Sequence, residues 1–344
     1  MLDDLQKIHE RDPQDALGIA EKQWQQLEYE FPVDEPRLPD VTNVVYAGMG
    51  GSALAALISA NWPDYKLPFE VVRDYEIPAH VSAKTFFIAS SYSGNTEETV
   101  EALAHAEEKG AHIAVISSGG RLQQIAAEKG YPFVLLPGGL QPRHAVLYNL
   151  KALVVLLEKA GLVAAETAEA EMHRTAGYLR EQIKQWVPTV PIKDNVAKQI
   201  ALECMGKSVV VYAGPKLAPA AYKWKISFNE NAKQVAWWGQ YSEFNHNEFL
   251  GWSEQPEQKP YAVIDLRSNM EHPQVQKRFD LTARFLSGRR PAPIVVQATG
   301  DTLLEQLLSV IALGDFVSLY SAILGNINPT PVELIEKFKK ELVA

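Results

Sequence analysis

The chain has 344 residues with 33 lysines and arginines against 42 aspartates and glutamates, a net charge of −9, and 47% hydrophobic residues, which is ordinary globular usage. At about 150 residues per domain, the length corresponds to about two domains. The acidic balance argues against a nucleic-acid binder or a protein held on an anionic membrane by bulk charge, although a local cationic site can still hold a small anion. Cys204 stands alone, so an intramolecular disulfide and a cysteine metal cage are excluded.

The opening MLDDLQKIHERD is polar and acidic, unlike a secretion signal, and a cytoplasmic location is expected. Residues 2–31 read as helical with a break at Asp12-Pro13, and FPVDEPRLPDV (31–41) reads as an extended connector, so 1–42 forms an N-terminal helical segment and connector. Short apolar strands then alternate with helices. The strands are NVVYAG (43–48), FEVVRDY (69–75), TFFIASS (85–91), HIAVIS (112–117) and PFVLLP (132–137); the helices are 52–62, 96–110 and 121–130. Residues 147–187 read as helical, and VPTVPIKDN (187–195) is the best domain boundary. The alternation resumes with SVVVYAG (208–214), YAVIDLR (261–267) and PIVVQAT (293–299), and with helices at 218–233, 272–287, 302–324 and 331–342. The longest apolar run, 303–324, is interrupted by Glu305, Gln306, Gly314 and Asp315, so no membrane span is expected. Such alternation predicts an α/β fold of two doubly wound domains, 43–187 and 188–344, each a mostly parallel sheet flanked by helices.

Two loops carry phosphate-site chemistry. GMGGS (48–52) lies between a strand and a helix, where glycines let a ligand approach the backbone and the helix start offers free N–H groups. The same loop could be only a tight turn, and its spacing does not match a dinucleotide-binding G-x-G-x-x-G. SSYSGNTEET (90–99) also joins a strand to a helix. One of its hydroxyl residues could cap that helix, but Ser91, Ser93 and Thr96 together exceed what a cap needs. Loops of this kind at the ends of neighbouring strands would share one crevice. Amides and hydroxyls there suit a phosphate monoester, and no Walker lysine or magnesium-binding aspartate cluster accompanies them. The two loops resemble those of sugar isomerase (SIS) domains. The resemblance implies that Ser52, Ser91, Ser93 and Thr96, with the amides of Gly50 and Gly51, hold a sugar phosphate.

The segment SFNENAKQVAWWGQYSEFNHNEFLGW (227–252) is dense in Asn, Glu, His and Trp. Glu230 lies between two asparagines, and so does His246, sixteen positions on. Such a pair can move protons near neutral pH, although each residue alone could be a solvated side chain. With GMGGS, SYSGNT, PRHA, NENAK, NHNE and a C-terminal N-P motif, the chain from about residue 40 resembles the bifunctional phosphoglucose/phosphomannose isomerase family. That resemblance implies a hexose 6-phosphate isomerase without cofactor, forming a homodimer. It implies Glu230 as the base between C1 and C2, His246 as the ring-opening residue contributed across the interface, Arg143 as the enediolate stabiliser and Lys339 as an aid to ring chemistry.

Arg143 also has a case from its own chemistry, since a guanidinium facing the crevice would stabilise a developing oxyanion. Helical geometry puts Lys339 at the margin of a face formed by Val332, Ile335, Phe338 and Leu342, where enclosure is expected more than for Lys337. The family resemblance also implies a small residue near this lysine that would admit mannose 6-phosphate, and it falls on either Thr330 or Val332. The remaining histidines form no close pair with metal-ligand spacing, and no metal is assigned. Trp224, Trp237, Trp238 and Trp252 read as core or interface residues. Two other readings stay open: a non-catalytic sugar-phosphate sensor, which has no need of Glu230 and His246, and an SIS isomerase of another phosphosugar.

Overall fold

The computed structural model describes residues 1–33, 35–163, 168–254 and 260–342. The chain forms two compact units: Lys22–Tyr178, and Met1–Glu21 together with Leu179–Ala344. The helices α1 (Leu5–Arg11) and α2 (Ala16–Glu21) therefore belong to the same unit as the C-terminal half, not to a separate leading segment. They are tied there by polar contacts: Arg11 donates to Ile323 O at 2.5 Å, and the buried Lys198 donates to Asp3 at 3.1 Å. The break at Asp12-Pro13 is a cap, in which the Asp12 carboxylate accepts from the amides of Ala16 and Leu17, each at 2.9 Å.

The first unit contains β1 (Asn43–Ala47), α3 (Gly50–Ser59), β2 (Phe69–Val72), β3 (Thr85–Ser91), α4 (Glu97–Glu108), β4 (His112–Ser117), α5 (Gly120–Lys129), β5 (Phe133–Leu135) and α6 (Val146–Lys159); the chain leaves it along α7 (Ala168–Ile183). Its strands run parallel in the order β2-β1-β3-β4-β5. Every residue of β3 is buried, as expected for a central strand covered on both faces. Leu103 and Ala106 of α4 and Leu122 of α5 pack on Val45, Phe87 and Val115. The chain leaves β1 toward β2 and returns to β3 on the other side. The carboxyl ends of β1 and β3 thus flank a topological switch point, where this architecture opens a crevice.

The second unit adds α8 (Val196–Cys204), β6 (Ser208–Ala213), α9 (Ala218–Glu230), β7 (Ala236–Gln240), α10 (Glu248–Gly251), β8 (Tyr261–Arg267), α11 (Pro273–Phe285), β9 (Ile294–Gln297), α12 (Leu303–Leu324) and α13 (Glu333–Leu342). Its parallel order is β7-β6-β8-β9. The strand AWWGQ is absent from the sequence reading because β7 is an edge: only Ala236 is buried, so no apolar run marks it. Trp237 and Trp238 are 51% and 39% exposed, whereas Trp224 and Trp252 are core residues. The long apolar helix α12 is buried inside this unit against α8 and α9. It starts with a full capping box between Thr302 and Glu305.

The helix α13 differs from expectation. Ile335, Phe338 and Leu342, expected to form a covered face, are exposed, with Phe338 at 61%. Lys339 is exposed as well, no more enclosed than Lys337. The apolar stripe exists, but among the described residues nothing buries it.

Candidate active site

In the first unit the two loops meet at the switch point. After β1 the chain passes through Gly48 and Met49 into α3. A Cβ on Gly48 would lie 2.8 Å from Ser90 O, and one on Gly51 would lie 2.7 Å from Pro142 O. Only glycine allows these approaches, which press the turn against β3 on one side and against residues 142–143 on the other. Ser52 is buried, and its hydroxyl accepts from the Tyr92 amide at 3.1 Å, tying the first loop to the second. That hydroxyl keeps its own proton to donate.

The second loop gathers three hydroxyls. Ser91 Oγ lies 2.7 Å from Thr96 Oγ1 and 3.4 Å from Ser93 Oγ. Thr96 is the N-cap of α4, yet its side chain makes no capping hydrogen bond. The hydroxyl faces its fellow hydroxyls, and the first amides of α4 are left for another acceptor. The loop is backed by the turn after β4. Gly94, at φ +70°, passes so close to Gly119 that a Cβ would sit 1.7 Å from its carbonyl oxygen. Asn95 accepts from the Arg121 amide at 2.9 Å, and Ser118 Oγ donates to Tyr92 O at 2.5 Å.

Arg143 sits in a short 3-10 turn, Pro142–His144, directly against Gly51. It is 2% exposed, which sets aside a solvated surface arginine. A guanidinium cannot shed its charge there, so a nearby oxyanion would gain strongly from it. The structure thus brings Gly50, Gly51, Ser52, Ser91, Ser93, Thr96 and Arg143 to one place.

Glu230, His246 and Lys339 belong to the second unit. Glu230 is the last residue of α9 and is half-buried. Its neighbours explain the polar motif around it. Asn229 donates to Gln234 O at 2.9 Å, and Asn231 donates to Ser318 Oγ of α12 at 2.9 Å. Deeper in the same helix, Lys223 and Ser227 both bond the buried Asp315 of α12. His246 ends a 3-10 turn, Glu243–His246, and is exposed. Phe244 anchors that turn in an aromatic cluster with Tyr212, Tyr241 and Trp252. Asn245 donates to Thr282 at 2.9 Å, and Asn247 donates to Glu243 at 2.6 Å.

One chain does not bring its Glu230 and His246 together. The helix α9 packs on β6 and β7 from one face, with Tyr222 against Trp238 at 5.6 Å. Segment 241–252 covers the other face, over Val210 and Tyr212. The strand layer lies between the two residues.

Residues 193–342 match the family described as the bacterial phospho-glucose isomerase C-terminal SIS domain. A bifunctional phosphoglucose/phosphomannose isomerase from Caldicellulosiruptor bescii is 36% identical over 308 residues, covering 88% of this chain and 90% of that one. The chain belongs to the bifunctional phosphoglucose/phosphomannose isomerase family. A D-glucosamine-6-phosphate 4-epimerase from Sulfolobus acidocaldarius is 33% identical over 224 residues, 64% of this chain and 68% of that one. A glucose-6-phosphate isomerase like protein from Thermus thermophilus superposes with a TM-score of 0.67 over 98% of both chains at 20% identity, a likeness of fold.

For this member of the isomerase family, the sequence reading left out the residues that shape the loops. Tyr92 is one: its amide meets Ser52, and its hydroxyl donates to Pro137 O at 2.8 Å. The pair Gly119-Gly120 is another, and two glycines at a strand end were a usable signal. A surface group of Glu30, Glu169 and His173 has ligand atoms within 4.8 Å of one another. Lys151 already meets Glu169 at 2.7 Å and offsets its charge, so this group is a poor seat for a metal ion.

Proposed function

We propose that the protein is an aldose–ketose isomerase that interconverts glucose 6-phosphate and mannose 6-phosphate with fructose 6-phosphate through a cis-enediolate. The observation that carries this reading is the hydroxyl cluster of Ser91, Ser93 and Thr96 at an uncapped helix start, with Ser52 and the Gly50 and Gly51 amides alongside. It is a seat for a dianionic phosphate in which donors surround the charge and no metal is required. His246, aided by Lys339, moves the proton from the C1 hydroxyl to the ring oxygen, and the sugar opens. Glu230 takes the proton from C2 of the aldose, and the electron pair becomes the enediolate, whose oxygen Arg143 stabilises. Glu230 returns the proton to C1, and the oxygens exchange a proton to give the ketose.

The placement of Glu230 and His246 on opposite faces of their own sheet supports a homodimer in which His246 serves the partner's substrate. Mannose 6-phosphate differs at C2, so a pocket that accepts both epimers needs room near Thr330 or Val332. The epimerase relative favours a second reading, turnover of an amino sugar phosphate. The test is a coupled assay of the purified protein, in EDTA, against glucose, mannose and glucosamine 6-phosphates. Fructose 6-phosphate from the first two is expected; turnover of glucosamine 6-phosphate alone favours the second reading, and binding without turnover leaves a sensor.

A further inference from the structure

Lys233, the last residue of the NENAK motif, has no part in the chemistry described so far. Its ammonium donates to Glu230 O at 2.8 Å and approaches Asn231 O at 3.4 Å. It also reaches Asn328 O at 3.1 Å and Pro329 O at 3.0 Å. The first two carbonyls end α9; the other two lie in the turn that leads to α13. We propose that Lys233 is a positioning residue for the Glu230 carboxylate, locking the final turn of α9 to the turn that precedes α13 and Lys339. The proposal rests on the reading of Glu230 as the base.

The physical grounds are those of a helix end. The last carbonyls of α9 have no partner within the helix and carry the negative end of its dipole. Glu230 is the terminal helical residue, so fraying of one turn would displace the carboxylate itself. The chain bends back at Lys233, at φ +52°, and this returns the ammonium under the helix it has just left. A lysine at a left-handed position is costly, since its Cβ crowds the backbone. Lys233 is exposed, but its three N–H donors are spread over four carbonyls from two segments, which makes the side chain a surface clamp between them. Asn231, held by Ser318, and Ser227, held by Asp315, fix the same helix to α12 from the buried side. Lys233 adds the connection to residues 328–329. Misplacing a reacting group by about 1 Å can cost about 100-fold in rate, so loosening this clamp should appear in kcat.

The test uses Lys233→Asn, which removes the ammonium but tolerates the left-handed backbone, with Lys233→Met as a second variant that keeps the alkyl chain. Both should lower kcat about 10- to 100-fold, leave KM for glucose 6-phosphate within about twofold, and slow exchange of the C2 hydrogen with solvent in proportion. Lys233→Arg should recover most of the rate. Thermal melts confirm that each variant is folded at the assay temperature. A folded Lys233→Asn or Lys233→Met with kcat near the parent value overturns the proposal, as does a loss that Lys233→Arg does not relieve. Glu230→Gln is assayed in parallel: if it keeps activity, the assignment of the base has failed; if it is inactive while the Lys233 variants are normal, only the clamp has failed.

Discussion

The hydroxyl of Thr96 lies 2.7 Å from that of Ser91, although Thr96 holds the position from which a threonine usually caps the helix behind it. A threonine that caps contributes about 0.5–2 kcal/mol to stability, and its loss shows in the melting temperature. A threonine turned toward a ligand seat contributes to binding instead. A hydroxyl that bonds a charged phosphate is worth about 1.5–3 kcal/mol, or roughly 10- to 100-fold in affinity. Thr96→Val should therefore raise KM for a sugar phosphate about 10- to 100-fold while the melting temperature stays within about 2 °C. Steady-state kinetics and a thermal melt decide it; a large fall in melting temperature with KM unchanged would return Thr96 to the role of a cap.

The loop depends equally on a residue that has no side chain. Gly94 adopts φ +70°, and a Cβ there would stand 1.7 Å from Gly119 O. Backbone opposes backbone at that point, so a neighbouring rotamer cannot relieve the clash. Gly94→Ala must move the Gly119-Gly120 turn or the hydroxyl cluster. The expected result is a loss of about 2–4 kcal/mol in unfolding free energy, from strain at the left-handed position and overpacking together, and a rise in KM larger than that for Thr96→Val. Urea denaturation and the same kinetics measure both. Gly130→Ala is the control: it shares a positive φ, +71°, but faces open space, so only its stability should fall, by about 1 kcal/mol.

Much of this was legible in the chain. The strands TFFIASS, HIAVIS and YAVIDLR stand at their expected bounds because each is an apolar run, buried on both faces and bracketed by turn residues. The loops 48–52 and 90–99 stood out because their residue types exceed what capping and turning require, and the structure brings them together through the Ser52–Tyr92 contact. The edge strand β7 was not, since a strand with one buried residue has no apolar signature. The membership of α1 and α2 in the C-terminal unit was also hidden. It rests on side chains such as Arg11 and Asp3, which meet partners more than 180 positions away, and such pairing leaves no local pattern. The expectation that Lys339 is enclosed rests on helical angle alone, which gives the face but not what covers it.

The separation of Glu230 from His246 within one chain leads to a mixing experiment. Glu230→Gln and His246→Asn should each be inactive. If His246 serves the partner's substrate, a mixed dimer holds one site with both defects and one with neither. Statistical exchange makes half the dimers mixed, so activity should recover to about a quarter of the parent value per subunit. Mass spectrometry of tagged subunits would confirm exchange. No recovery after confirmed exchange would mean that each chain supplies both residues to a single site.

A further expectation concerns Asp265, on β8 beneath the segment that carries His246. It is fully buried, and its carboxylate lies 4.0 Å from the guanidinium of Arg290, itself buried over the rings of Tyr212 and Phe244. Burial pushes its pKa from the usual 3.8 up to about 6, with Arg290 and then Arg267 opposing the rise. The folded state therefore holds the proton more tightly than the unfolded state. The stabilisation due to this proton is complete below pH 3.8 and is lost as pH rises through about 6. Relative to a double variant, Asp265→Asn with Arg290→Met, the parent should lose on the order of 2–3 kcal/mol of unfolding free energy across that interval. The double variant avoids the unpaired buried guanidinium that Asp265→Asn alone would leave. Subtracting the two stability–pH curves removes the exposed carboxylates Asp3, Asp4 and Glu181, whose pKa values are lowered and whose contribution has the opposite sign. A difference curve that is flat between pH 4 and 6 would show that Asp265 ionises as freely in the fold as outside it, and that the pair under His246 is hydrated.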